Sequence, residues 1–121
     1  MAQEISISVK MTVSKGYLVQ KSDPGTILVD MSGTTAIGGA QDIGTTAEAL
    51  SITDVSTAGW AYFRNTDTTN YVEIGTGTAG SFVAFGKLKA GEACLIRLGT
   101  NAPTARANTS AIKLQFYILA D

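Results

Sequence analysis

Alternation of apolar and polar residues with a period of two constrains this chain more than any other feature. At the amino end Ile5, Ile7, Val9, Met11 and Val13 alternate with Glu4, Ser6, Ser8, Lys10 and Thr12. At the carboxyl end Ile112, Leu114, Phe116 and Ile118 alternate with Lys113, Gln115, Tyr117 and Leu119. Successive side chains of a strand point to opposite faces, so each stretch is expected to bury one face and wet the other.

The segments between these ends read as further strands and turns. Lys15-Gly16 marks a turn, with a second strand over residues 17–21. Asp23-Pro24-Gly25 is a strong break, because proline presets φ and glycine tolerates positive φ. Residues 27–31 are extended again. The Gly- and Thr-rich stretch 32–46 is expected to hold short strands at 36–37 and 41–43. Thr45-Thr46-Ala47-Glu48 fits a capping box and predicts one helical turn through Leu50. Residues 60–65 and 71–75 are expected to pair like a hairpin around the polar turn 66–70. Strands at 82–85 and 92–98 follow, parted by a turn at Lys89-Ala90-Gly91.

Short strands recurring about every ten residues, with Gly and Thr between them, predict an all-β, antiparallel sandwich or barrel. No repeat period and no linker is visible, so a single domain over 1–121 is expected. A chain of this length buries roughly two thirds of its unfolded surface, enough for one core without metals or disulfides. The chain is 45% hydrophobic but only 7% aromatic, so aliphatic and alanine side chains must build that core.

The residue inventory narrows the chemistry. There is no histidine, which removes the commonest general base and the commonest zinc ligand. The carboxylates Asp30, Asp42, Asp67, Glu73 and Glu92 are scattered, and no spacing brings two together in an apolar cleft. No catalytic, cofactor-binding or metal-binding residue is therefore assigned. Gly75-Thr76-Gly77-Thr78-Ala79-Gly80 matches G-x-G-x-x-G, but a strand follows it where a dinucleotide fold needs a helix. The glycines are expected to serve a hairpin connection.

Net charge is −1, and no run of Lys and Arg exists, so neither nucleic acid nor an anionic membrane is an expected partner. No apolar run approaches the ~20 residues that span a bilayer. The start lacks the basic and apolar regions of a secretion signal, so the reading is a product made in the cytoplasm. Cys94, the one cysteine, alternates with Ile96 and Leu98 and reads as a buried structural thiol.

From Gly59 onward the chain resembles small β proteins encoded among the structural genes of tailed bacteriophages. The resemblance rests on Ala61-Tyr62-Phe63-Arg64-Asn65, Asn70-Tyr71-Val72-Glu73-Ile74-Gly75, Lys87-Leu88-Lys89-Ala90-Gly91-Glu92 and Ala111-Ile112-Lys113-Leu114-Gln115-Phe116-Tyr117-Ile118-Leu119. It covers roughly half the chain. It implies a virion component, a β-sandwich of jelly-roll type, on the capsid surface and assembled in the host cytoplasm. Capsid cement (decoration) proteins of such phages bridge capsomers of the major capsid protein, often as trimers. A tail, baseplate or head-fibre role is the alternative within that class.

Candidate protein-interface residues are Arg64, Asn65, Asn70, Tyr71, Arg106, Tyr117 and Leu119. The partly apolar face carrying Tyr117 and Leu119 either packs against copies of the chain or lies under the segment after Ser32. A rival of another class is a carbohydrate-binding module, for which Trp60 and Tyr62 on one strand face, near Asn65 and Asn70, would form a platform.

Overall fold

The computed structural model describes residues 3–121, which fall into two compact units, one up to Ser32 and the other Gly33–Asp121. Nearly every element is a β-strand, and no α-helix occurs among the described residues.

The first unit is a two-stranded ribbon in two halves. Strand β1 (Ile5–Ser8) pairs antiparallel with β4 (Thr26–Val29), and β2 (Met11–Lys15) pairs with β3 (Leu18–Ser22). The expected strand over 5–13 is thus two strands. Val9 and Lys10 on one side oppose residues 23–25 on the other, so the register moves by one residue between the halves. Gly25 takes that step with φ +77° while its N–H donates to Asp23 Oδ1 at 2.9 Å. At the tip Gly16-Tyr17 forms a two-residue loop, and Gly16 has φ +59°, as the first position of a tight hairpin turn requires. The root is closed by side chains. The N–H of Gln3 donates to Asp30 Oδ1 (2.9 Å), and that of Met31 donates to Glu4 Oε1 (3.0 Å).

The second unit is the expected sandwich. Its strands are β5 (Ala36–Ile43), β6 (Glu48–Ala49), β7 (Ala58–Asn65), β8 (Val72–Thr76), β9 (Val83–Leu88), β10 (Ala93–Arg97), β11 (Pro103–Ala107) and β12 (Ile112–Ala120). One sheet has the order β10-β7-β12-β5, the other β6-β11-β8-β9, and every pair is antiparallel. Every connection from β5 to β12 crosses between sheets except β8–β9. Two four-stranded sheets threaded in this order form a jelly roll.

The alternation read from the sequence decides which side chains meet inside. Ile43, Phe63, Leu114, Phe116 and Ile118 come from the first sheet, and Val72, Ile74, Leu88, Ala105 and Ala107 from the second; all are buried. Three of these ten are alanine or β-branched valine and only two are aromatic, the composition anticipated for this core. Full burial of a side chain the size of Phe63 is worth about 2–3 kcal/mol.

Several local expectations are corrected. Residues 60–65 and 71–75 do not form a hairpin: β7 pairs with β10 and β12, while β8 pairs with β9 and β11. The turn between them crosses the sandwich. Asn65, fully buried at the end of β7, fixes that crossing by donating to the carbonyls of Asn70 (2.8 Å) and Leu88 (3.0 Å) while its Oδ1 accepts from the Asp67 N–H (3.0 Å). The capping box at Thr45–Glu48 makes no helix. Glu48 does reach back, accepting from the Gly44 N–H at 3.1 Å, but its backbone joins β6. The stretch 32–46 holds one eight-residue strand, β5, rather than two short ones.

The glycine motif serves the β8–β9 connection, as expected. A Cβ on Gly75 would meet the Val83 carbonyl, and one on Gly77 (φ +81°) would meet that of Ser81. A 3-10 turn at Ala79–Ser81 lies between the two paired strands, not a nucleotide-binding helix.

Candidate functional site

The outer face of the β10-β7-β12-β5 sheet collects the aromatic and cationic side chains that point away from the core. Register places Tyr62 between Leu95 and Tyr117, and Tyr117 next to Gly38. The Tyr117 ring occupies the space where a Cβ on Gly38 would stand, so the glycine gives the ring a bed on the sheet. Leu95, Tyr62 and Tyr117 are 36%, 37% and 53% exposed, forming one apolar row across three strands. Arg64 is exposed one row away, beside Gln115. Trp60, half-buried, lies under the Arg97 guanidinium at 5.4 Å from the ring centroid. Arg97 in turn pairs with Asp121 at 3.0 Å. A row of Tyr and Leu flanked by Arg has the composition found at the centres of protein interfaces.

The two ends of the sandwich differ. On one side Gln41 of β5 ties the sheets together: its Nε2 donates to the Ala49 carbonyl (3.1 Å) and its Oε1 accepts from the Ser51 N–H (3.0 Å). On the other side β9 and β10 leave two shallow clefts of about 240 Å³ each. Phe85 and Ile96 line both, and Cys94 lines the second. The register of β9 slips between Ile74 and Gly75, which leaves Phe85 unpaired in a bulge and 52% exposed. Burial pushes the Cys94 thiol up, so at neutral pH it is a protonated, poorly nucleophilic group.

The outer face of the β6-β11-β8-β9 sheet is polar and internally paired. Arg106 donates through Nε (3.2 Å) and Nη2 (2.7 Å) to Glu73 Oε1 and sits 4.6 Å over the Phe82 ring. Lys87 lies 4.1 Å over the Tyr71 ring. Tyr71, Glu73 and Arg106 line a shallow polar hollow of about 280 Å³ with Thr45 and Asn108. Among the described residues no three His, Cys, Asp or Glu side chains cluster as a metal site would need.

The sequence-predicted residues therefore do not form one patch. Arg64, Tyr117 and half-buried Leu119 belong to β7 and β12 in the first sheet, while Tyr71 and Arg106 lie on the opposite sheet, engaged with Lys87 and Glu73. Asn70 sits in the crossing turn, where it donates to Ser110 Oγ (2.8 Å) and accepts from Thr109 Oγ1 (2.8 Å). Asn65 is a correction: it is wholly buried and its amide is used within the fold. Sequence reasoning placed Arg97 on a polar face but missed Leu95 and Phe85 as surface groups. The period-two pattern makes Leu95 the neighbour of Ala93 and Arg97 on the polar side of β10, and that alternation was the available signal.

No family model, curated protein or solved structure matches this chain.

Proposed function

We propose that this chain is a virion structural protein of the capsid cement type, a jelly roll that bridges subunits of a major capsid protein as a homotrimer. The observation that carries the proposal is the apolar row Leu95–Tyr62–Tyr117 with its flanking arginines, exposed on a rigid sheet. Tyrosine offers wide contact area at little entropic cost, and arginine makes planar hydrogen bonds across a wet interface. The likeness of residues from Gly59 onward to small phage structural proteins supports the same reading, and the jelly roll is an architecture used in viral capsids. A cement protein acts by mass action: it binds the assembled lattice and not its dissociated subunits, and so stabilises the shell.

The test is the position of the chain on intact particles, read by cryo-microscopy. Density at capsomer junctions, lost on substituting Tyr62→Ser together with Tyr117→Ser, is the expected result. Density confined to the tail would contradict it. The same aromatic row is also what a glycan-binding module would present. Quenching or shift of Trp60 emission by oligosaccharides, with no capsid binding, would replace the cement reading.

A further inference from the structure

The outer half of the ribbon buries almost nothing. Of the ten residues in β2 and β3, only Val13 is even half-buried, and Met11, Leu18 and Val19 are 63%, 59% and 70% exposed. Tyr17 at the tip is fully exposed. A lone two-stranded ribbon is marginally stable in water, and its two edges offer unpaired N–H and C=O groups for further strands.

Charge along the ribbon is separated. Lys15 lies beside the tip and Lys21 opposite Thr12, Lys10 and Asp23 lie at the register step, and Glu4 and Asp30 lie at the root. The outer half is cationic and the root anionic, with Lys15 about 36 Å from Glu4 and Lys21 about 30 Å from Asp30 at roughly 3.3 Å per residue. Both root carboxylates already accept a backbone N–H, which keeps them in place, and the Met31 N–H holds Glu4 below the usual carboxylate range.

We propose that the occupant of this ribbon's edge is the same ribbon of a second copy, laid antiparallel. That alignment sets Lys15 of each chain level with the Glu4–Asp30 root of the other, with Lys21 about 10 Å nearer the middle, and it turns two marginal ribbons into a four-stranded sheet. A parallel alignment would bring tip against tip, with four lysines inside a Debye length of about 8–10 Å. The clefts beside Phe85 are a poorer seat for the tip, because Arg97 and Lys87 line them. The contact is isologous, so a trimer would offer each of its ribbons to a different neighbour.

Cross-linking of the full chain reads this geometry, and it is independent of where the protein sits on a particle. In a Cys94→Ser background, chains carrying Tyr17→Cys are mixed with chains carrying Ser6→Cys and treated with a short bismaleimide. The expected product joins the two different chains, tip to root. Adding Lys15→Glu and Lys21→Glu, both at exposed positions, should lower its yield on the order of threefold, since the exposed Lys15 pair at each end of the contact is reversed and Lys21 adds only longer-range repulsion. Predominant tip-to-tip product, no product above random collision, or indifference to the lysine reversals would overturn the proposal. So would a Tyr17→Cys chain with its native thiol retained if it cross-links to Cys94 of another copy. Unchanged Trp60 emission, from the single tryptophan in the jelly roll, controls for folding.

Discussion

The ribbon and the jelly roll are written in the same alternating pattern and come to opposite ends. In β12 every second residue from Ile112 to Ala120 is buried, because β5 and β7 flank it and a second sheet covers its inner face. In β2 a similar alternation leaves Met11 in water, and the successive Leu18 and Val19 of β3 are exposed too. Alternation dictates that a segment is extended. Whether its apolar face is buried depends on how many strands join it. The jelly roll supplies its own, whereas among the described residues the outer ribbon has only its two strands, and this separates a region that covers its apolar face from one that leaves it in water.

The largest effect expected from a single substitution lies in the jelly roll. Phe63→Ala should lower unfolding free energy by about 3–5 kcal/mol in denaturant titrations, through lost burial and the cavity left behind. Leu18→Ala in the ribbon should change it by less than about 0.5 kcal/mol in dilute solution. Equal losses at the two positions would erase the contrast.

Next comes the crossing between sheets. Asn65→Ala should cost about 2–4 kcal/mol, because the Asn70 and Leu88 carbonyls and the Asp67 N–H all lose their partner inside the protein. Asn65→Asp should be at least as damaging, since a carboxylate would face two carbonyls. A tolerant Asn65 would show that the turn, not its side chain, sets the crossing.

The smallest effect is on acid stability, and it differs between the regions. The Asn70 N–H, and then that of Thr69, hold Asp67 below the ordinary carboxylate range. A depressed folded-state pKa means that the unfolded chain binds the proton more readily. Its stabilisation is therefore complete above the unfolded value near 4 and is lost as pH falls through the folded one. Asp67→Asn should flatten the acid limb of jelly-roll stability, read by Trp60 emission. Glu4→Gln should leave that limb unchanged and alter only the ribbon.

Much of the fold was legible from local pattern. The strands at 60–65, 71–75 and 112–119, the turn at Gly16 and the glycine-bound β8–β9 connection all follow from residues adjacent in sequence. Pairing between strands did not, because a hairpin and a sheet-crossing arch share the same polar turn. What separates them here is the reach of the Asn65 amide to Leu88, 23 residues away. The capping box misled for a related reason: Glu48 bonds back to the Gly44 N–H with no helix following. The surface row was hidden because Leu95, Tyr62 and Tyr117 become neighbours only when three strands align. Aromatic character marked Tyr117 as a candidate, but no local signal placed Arg106 and Arg64 on opposite faces.

Hydrogen exchange across a concentration series tests the central contrast most directly. Amides of β7 and β12 should be protected equally at all concentrations, while those of Met11–Lys15 and Leu18–Ser22 should gain protection only as copies associate. Ribbon protection that is already complete at high dilution, or that never appears when copies are crowded together, would contradict the account.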